Sequence, residues 1–151
     1  MQKFHHLLEP RSIAVVGVSD DAARPGSQAV QALLKNGYPG KVFPVNPKYE
    51  RFGDLKCHAS VAAIPDEVDL VVIGVPAKGV LPVLEECAAK GVPYVVILSG
   101  GFRESGPEGI EREQKMLAIA RKAGIRIVGP NCLGFANIHA NVYAAFARIT
   151  R

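Results

Sequence analysis

Three features of the sequence predict an α/β fold, a doubly wound parallel sheet of the Rossmann type. Five short apolar runs are spaced along the chain, each continuous enough for a strand buried on both faces. Between them stand segments whose apolar residues recur with the stripe of an amphipathic helix. Strands that alternate with helices must pair in parallel, because a parallel neighbour is reached only through a crossover connection. Right-handed crossovers then predict the order 2-1-3-4-5, with the winding reversed between the first and third strands.

Ile13-Ala14-Val15-Val16-Gly17-Val18 is the first run. Val30, Leu33, Leu34 and Gly37 stripe the helix behind it, and Gly37 suits the left-handed residue that ends a helix. Lys41 to Val45 is the second strand. Its Pro44 lacks an N–H for the ladder, so the strand is expected at or near an edge, or short. A short extra strand is expected beyond it near Lys56, and Ser60 to Glu67 has room for one helical turn. Asp69 to Gly74 is the third strand, followed by a helix with Val80, Val83, Leu84 and Cys87 inward and Gly91 after it. Pro93 to Leu98 is the fourth strand. A charged helix from Glu108 to Lys122 follows, with Ile110, Leu117 and Ala120 inward, and Ile125 to Val128 is the fifth strand. Residues after Pro130 read as irregular.

The 151 residues are expected to form one domain over 1–151. Hydrophobic residues at 48% and charged residues at 21% place the chain among globular proteins rather than disordered ones. Eighteen Lys and Arg against 14 Asp and Glu leave a net charge of +4, which suits a small anionic ligand. With no basic stripe, 7% aromatics and no Trp, a nucleic-acid partner is not expected. No apolar run is long enough for a membrane span, and the opening MQKFHHLLEP lacks the features of a secretory signal. The expected location is the cytoplasm. Cys57, Cys87 and Cys132 are odd in number, widely spaced and outside any CxxC, so neither a disulfide framework nor a metal site is expected.

In such a sheet the ligand sits above the carboxyl ends of the strands at the reversal point, here the loops after Gly17 and Gly74. A nicotinamide dinucleotide would require G-x-G-x-x-G directly after the first strand and an acidic residue after the second. Neither is present. The loop from Gly17 is longer, and Gly26-Ser27-Gln28 opens the helix instead, where backbone N–H groups can hold a phosphate and Arg24 can add charge. Lys48 stands where the ribose-binding acid would be, and a lysine suits a phosphate rather than a diol. These residues favour a nucleotide with an additional phosphate, which NADP and coenzyme A both satisfy. Taken singly, Lys48 and Arg51 are equally readable as solvated charges and Ser27 as a helix cap. Two further loops share the rim, Val75-Pro76-Ala77 and Ser99-Gly100-Gly101-Phe102, with small residues that let a ligand approach. Asn131, in Gly129-Pro130-Asn131-Cys132-Leu133-Gly134, is suited to bond an amide of a ligand arm. Cys132 has no base fixed near it, and a buried, inert thiol is expected.

In order along the chain, RSIAVVG at 11–17, Arg24-Pro25-Gly26-Ser27, Val45-Asn46-Pro47-Lys48, Val75-Pro76-Ala77, Ser99-Gly100-Gly101-Phe102 and GPNCLG at 129–134 form a specific set. Together they resemble the N-terminal CoA-binding domain of NDP-forming acyl-CoA synthetases, relatives of the succinyl-CoA synthetase alpha subunit, from Leu7 to Phe146. The resemblance implies that coenzyme A is the ligand. It implies that Gly26, Ser27 and Gln28 bind the CoA phosphates and that Lys48 pairs with one of them; Gly17 and Arg24 are also expected among the CoA-binding residues. Val75, Pro76 and Ala77, with Leu98, Ser99 and Gly100, would line the adenine and pantetheine path, and Asn131 would lie near its reactive end.

Family members make acyl-CoA from an acid, CoA and a nucleoside triphosphate through an acyl phosphate and a phosphohistidine. His5, His6, His58 and His139 match no phosphohistidine motif, so no catalytic residue is expected in this segment. The expected partners are downstream phosphohistidine and ATP-grasp domains or a partner subunit, with this chain the N-terminal part of a longer synthetase. Other settings with the same ligand are the CoA-binding part of a protein lysine acetyltransferase and a stand-alone CoA sensor. An NADP-dependent oxidoreductase fragment is a more remote alternative.

Overall fold

A computed structural model describes residues 4–146 of the chain. Five parallel strands form the main sheet: β1 (Ser12–Val16), β2 (Lys41–Val45), β5 (Leu70–Ile73), β6 (Tyr94–Ile97) and β7 (Arg126–Val128). Their spatial order is β2-β1-β5-β6-β7. This is the expected 2-1-3-4-5 arrangement, with β1 and β5 adjacent at the reversal point. Pro44 sits on edge strand β2 opposite Val15, where its missing N–H costs the sheet little.

The central strands β1, β5 and β6 are buried on both faces, so alternate residues feed two cores. Ala14, Val16, Val71, Ile73, Val95 and Ile97 face helices α3 (Ala77–Lys90) and α4 (Pro107–Ala123). Ile13, Val15, Leu70, Val72 and Val96 face the other way, onto Ala29, Val30 and Leu33 of helix α2 (Pro25–Lys35). Leu34 was expected inward but is 52% exposed, on the flank of the α2 stripe. Ile110 is likewise exposed. The buried line of α4 runs through Gly109, Met116 and Ala120, and Ile110 lies about 100° round the helix from it.

Two connections differ from simple helical crossovers. Between β2 and β5 the chain makes a small antiparallel ribbon, β3 (Arg51–Phe52) with β4 (Leu55–Lys56), and then one parallel bridge from His58 to Val45. The extra strand expected near Lys56 is thus half of a ribbon paired on itself. Ser60–Ile64 forms turns rather than a helix. After β7 the chain is regular where an irregular segment was expected: β8 (Gly134–Asn137) and β9 (Val142–Ala145) pair as a hairpin. The physical reason is cover. Val142 and Ala144 are fully buried and complete the α2 side of the sheet, which a single helix leaves partly open.

At the amino ends of the strands, Asp69 ties β1 to β5. Its carboxylate accepts hydrogen bonds from the Arg11 backbone N–H at 2.8 Å and from the guanidinium at 3.1 Å, and His6 Nδ1 lies 3.0 Å away. His6 lies in a short first helix, α1 (His5–Leu8). Burial alone would raise the Asp69 carboxyl, but the bonds from Arg11, with His6 beside them, outweigh it and hold the pKa at about 2.

Candidate functional site

At the carboxyl ends of the strands, three glycines bring three backbones into contact. A Cβ on Gly17 would lie 2.6 Å from the Gly74 carbonyl oxygen, and one on Gly26 would lie 2.7 Å from that of Gly17. One on Gly74 would meet Gly26 N at 2.9 Å. No side chain fits anywhere in this knot, so the α2 N-terminus seats directly on the ends of β1 and β5. Pro25 occupies the first turn of α2, where its missing N–H is no loss.

The loop between β1 and α2 is held by its own side chains. The Ser27 hydroxyl is wholly buried, donating to Ser19 O at 2.8 Å and accepting from Ser19 N–H at 2.9 Å. The Ser27 hydroxyl is therefore not offered to a ligand. The Gln28 side chain folds back to donate to Ala23 O at 2.8 Å, and Arg24 is exposed with its Nε 3.5 Å from Asp21.

Lys48 lies at the end of β2 in a recess of about 640 Å³ lined also by Tyr49, Arg51, Lys56 and Cys57. Asn46 shapes this end. Its side-chain amide donates to Val18 O at 2.6 Å, joining the loop after β2 to the loop after β1, and its Oδ1 accepts from Lys48 N–H at 2.9 Å. The ribbon register places Arg51 directly opposite Lys56, so three cations line one recess together with the carboxylate of Glu50. Burial raises the thiol pKa of Cys57 at its wall. Sequence reasoning assigned no role to Asn46 or Lys56. An Asn before Pro is a recognisable turn former, and Gly53-Asp54 between short apolar stretches is a hairpin signal, but only the register pairs the two cations.

The remaining predicted residues are brought to the same rim by cross-loop bonds. The Ser99 hydroxyl donates to Val75 O, fastening the loop after β6 to the Val75-Pro76-Ala77 corner that opens α3. Asn131 N–H donates to Ser99 O at 2.9 Å, which adds the loop after β7. Leu98 is buried and continues β6, donating its N–H to Ile73 O. Gly100 is exposed, and its Cβ position lies 3.3 Å from Asn131 Oδ1. Cys132 is half-buried rather than buried, with its Sγ 3.4 Å from Ile97 O, and all three cysteines are free thiols.

The profile of the CoA binding domain family matches residues 11–138. The chain belongs to this CoA-binding family. That decides for coenzyme A between the two ligands that the residues alone left open. Among its relatives, acetate–CoA ligase (ADP-forming) II of Archaeoglobus fulgidus is 47% identical over 93% of this chain, which spans 21% of that protein. The alpha subunit of acetate–CoA ligase (ADP-forming) II of Pyrococcus furiosus is 44% identical over 97% of this chain, which spans 32% of the subunit. The dinucleotide-forming acetyl-coenzyme A synthetase 1 of Ca. Korarchaeum cryptofilum, solved with phosphate and ADP, superposes with a TM-score of 0.92 at 39% identity. It covers 97% of this chain, which covers 31% of the synthetase chain. The chain thus spans about a fifth to a third of the length of these three relatives. Among the described residues, no helix is long and apolar enough to cross a membrane.

Proposed function

We propose that this CoA-binding domain holds coenzyme A for an NDP-forming acyl-CoA synthetase in the cytoplasm. In this reading the CoA diphosphate lies over the α2 N-terminus, among Gly17, Arg24, Gly26, Ser27 and Gln28. The adenosine phosphate is read by Lys48 in the recess at the end of β2. The pantetheine arm follows Val75-Pro76-Ala77 and Leu98-Ser99-Gly100 toward Asn131. The acyl phosphate and phosphohistidine chemistry belongs to downstream phosphohistidine and ATP-grasp domains or to a partner subunit. This chain supplies binding and orientation.

The observation that carries this reading is the recess itself. Like charges directly opposite across a ribbon are destabilising, and Arg51 faces Lys56 with Lys48 beside them. An anionic group relieves that repulsion. Lys48, at the end of β2, stands where a dinucleotide-binding domain for NAD would place an acid.

Thermal unfolding of the chain with CoA, dephospho-CoA, NADPH or ATP tests the assignment. A ligand present at a hundred times its dissociation constant adds about 2.7 kcal/mol. The expected result is a clear rise of the midpoint with CoA and a smaller rise with dephospho-CoA. A rise with NADPH alone would overturn the reading.

A further inference from the structure

The loop after β6 is gripped from the helix side in a way that binding-site residues alone do not explain. Gly101 N–H donates to Glu104 Oε1 at 2.7 Å, and Phe102 N–H reaches the same oxygen at 3.2 Å. On the other side, the Gly101 carbonyl accepts from Arg112 Nη1 on α4. Both backbone polar groups of one glycine are therefore held by side chains of opposite charge. Glu104 lies in a short 3₁₀ turn, Arg103–Ser105, which is itself tied to α4 by Arg103 Nε and Glu113 Oε1 at 3.1 Å. Beneath it the Phe102 side chain is wholly buried, and its carbonyl lies so close to Gly109 that a Cβ there would sit 1.7 Å away.

The clamp stops one residue short of the crevice. Gly100 N–H donates to no group among the described residues, although the Gly100 Cβ position lies 3.3 Å from both Asn131 Oδ1 and Glu104 Oε1. Charge-assisted bonds are about twice as strong as neutral ones, so Gly101 and Phe102 are fixed while the adjacent donor stays free. Backbone N–H donors, that of Glu104 first and then those of Gly101 and Phe102, hold the Glu104 carboxyl below its ordinary value.

We propose that Glu104 and Arg112 are positioning residues that hold the Gly101 peptide so that Gly100 N–H and Asn131 are preset for an amide of the CoA arm. Neither side chain touches the ligand in this scheme. The proposal rests on the reading of the crevice as a CoA site, and it extends that site to a charged pair that holds the loop, Arg112 from α4 and Glu104 from the turn beside Gly100.

The test uses the 151-residue chain and two probes, CoA and adenosine 3′,5′-bisphosphate, which lacks the arm. Titration calorimetry compares the wild type with Glu104→Ala, Glu104→Gln and Arg112→Met. Loss of a charge-assisted bond predicts that Glu104→Ala and Arg112→Met weaken CoA about tenfold or more. The bisphosphate should bind all variants within about twofold of the wild type, because its site is on the other side of the reversal point. Glu104→Gln keeps an oxygen in place and should recover most of the CoA affinity.

Hydrogen exchange at the Gly101 amide, read without ligand, should be slow in the wild type and faster in Glu104→Ala. Unchanged CoA affinity in Glu104→Ala overturns the proposal, as does an equal loss for both probes, which would mark general destabilisation. A wild type that protects Gly101 yet binds no CoA removes the CoA reading itself, and the positioning role with it.

Discussion

Single residues in the crevice separate into those that exclude side chains, those that carry charge and those that are occupied internally. Gly26 is in the first group. Gly26→Ala would push a methyl into the Gly17 carbonyl, and overpacking of this kind costs about 1–3 kcal/mol. The expected result is a lower urea midpoint together with loss of CoA binding, since the α2 N-terminus must lift to make room. Lys48 is in the second group. Lys48→Ala should reduce CoA affinity about ten- to a hundredfold and dephospho-CoA affinity much less, as measured by calorimetry. Equal losses would place Lys48 at the diphosphate or away from the ligand.

Ser27 is in the third group, because its hydroxyl is used by Ser19. The thiols separate by access. Burial raises Cys57 and pushes Cys87 up to about 12, so neither offers thiolate at neutral pH. Cys132, half-buried at the rim, is expected to react first with an aromatic disulfide reagent, and desulfo-CoA, which lacks a thiol of its own, should slow it.

Among the elements, the β8–β9 hairpin did most that the sequence reading did not anticipate. Its residues Phe135, Val142 and Ala144 join α2 in covering one face of the sheet. Ala144→Asp would bury a carboxylate without a partner, a change that costs about 3–5 kcal/mol. A large fall in melting temperature is expected there, whereas Ile138→Asp, at a position 50% exposed in the hairpin turn, should leave the midpoint nearly unchanged. Comparable losses at both positions would mean that the hairpin is not seated as described. The sheet strands were legible because burial on both faces demands unbroken apolar runs. The hairpin was not, because its alternation is blurred by Ala136, Ala144 and Ala145. The inward positions of α2 and α4 were legible to within one flank residue, Leu34 and Ile110 being the exceptions.

For the molecule as a whole, the two ends of the sheet do different work. The carboxyl end presents the crevice. The amino end is fastened by Asp69, whose folded pKa of about 2 lies below the ordinary aspartate value of about 3.9. A carboxyl depressed in the folded state contributes stability that is full above its unfolded pKa and lost as pH falls through the folded one. Urea midpoints should therefore drop between about pH 4 and pH 2, and Asp69→Asn should be less stable at neutral pH but flatter over that window. A wild-type profile that stays level from pH 4 to pH 2 would contradict the described pairing.

The order of the strands, the reversal between β1 and β5, the rejection of an NAD fingerprint and the placement of Lys48 all follow from local pattern and spacing. These properties depend on periodicity and on which residue types occur at strand ends, and both are written along the chain. The glycine knot, the occupied Ser27 hydroxyl, the pairing of Arg51 with Lys56 and the grip of Glu104 and Arg112 on Gly101 do not follow from it. Each depends on a contact across the fold, or on a register or a side-chain bond that spacing does not specify, and packing settled these once sheet, helices and hairpin had closed around the two cores.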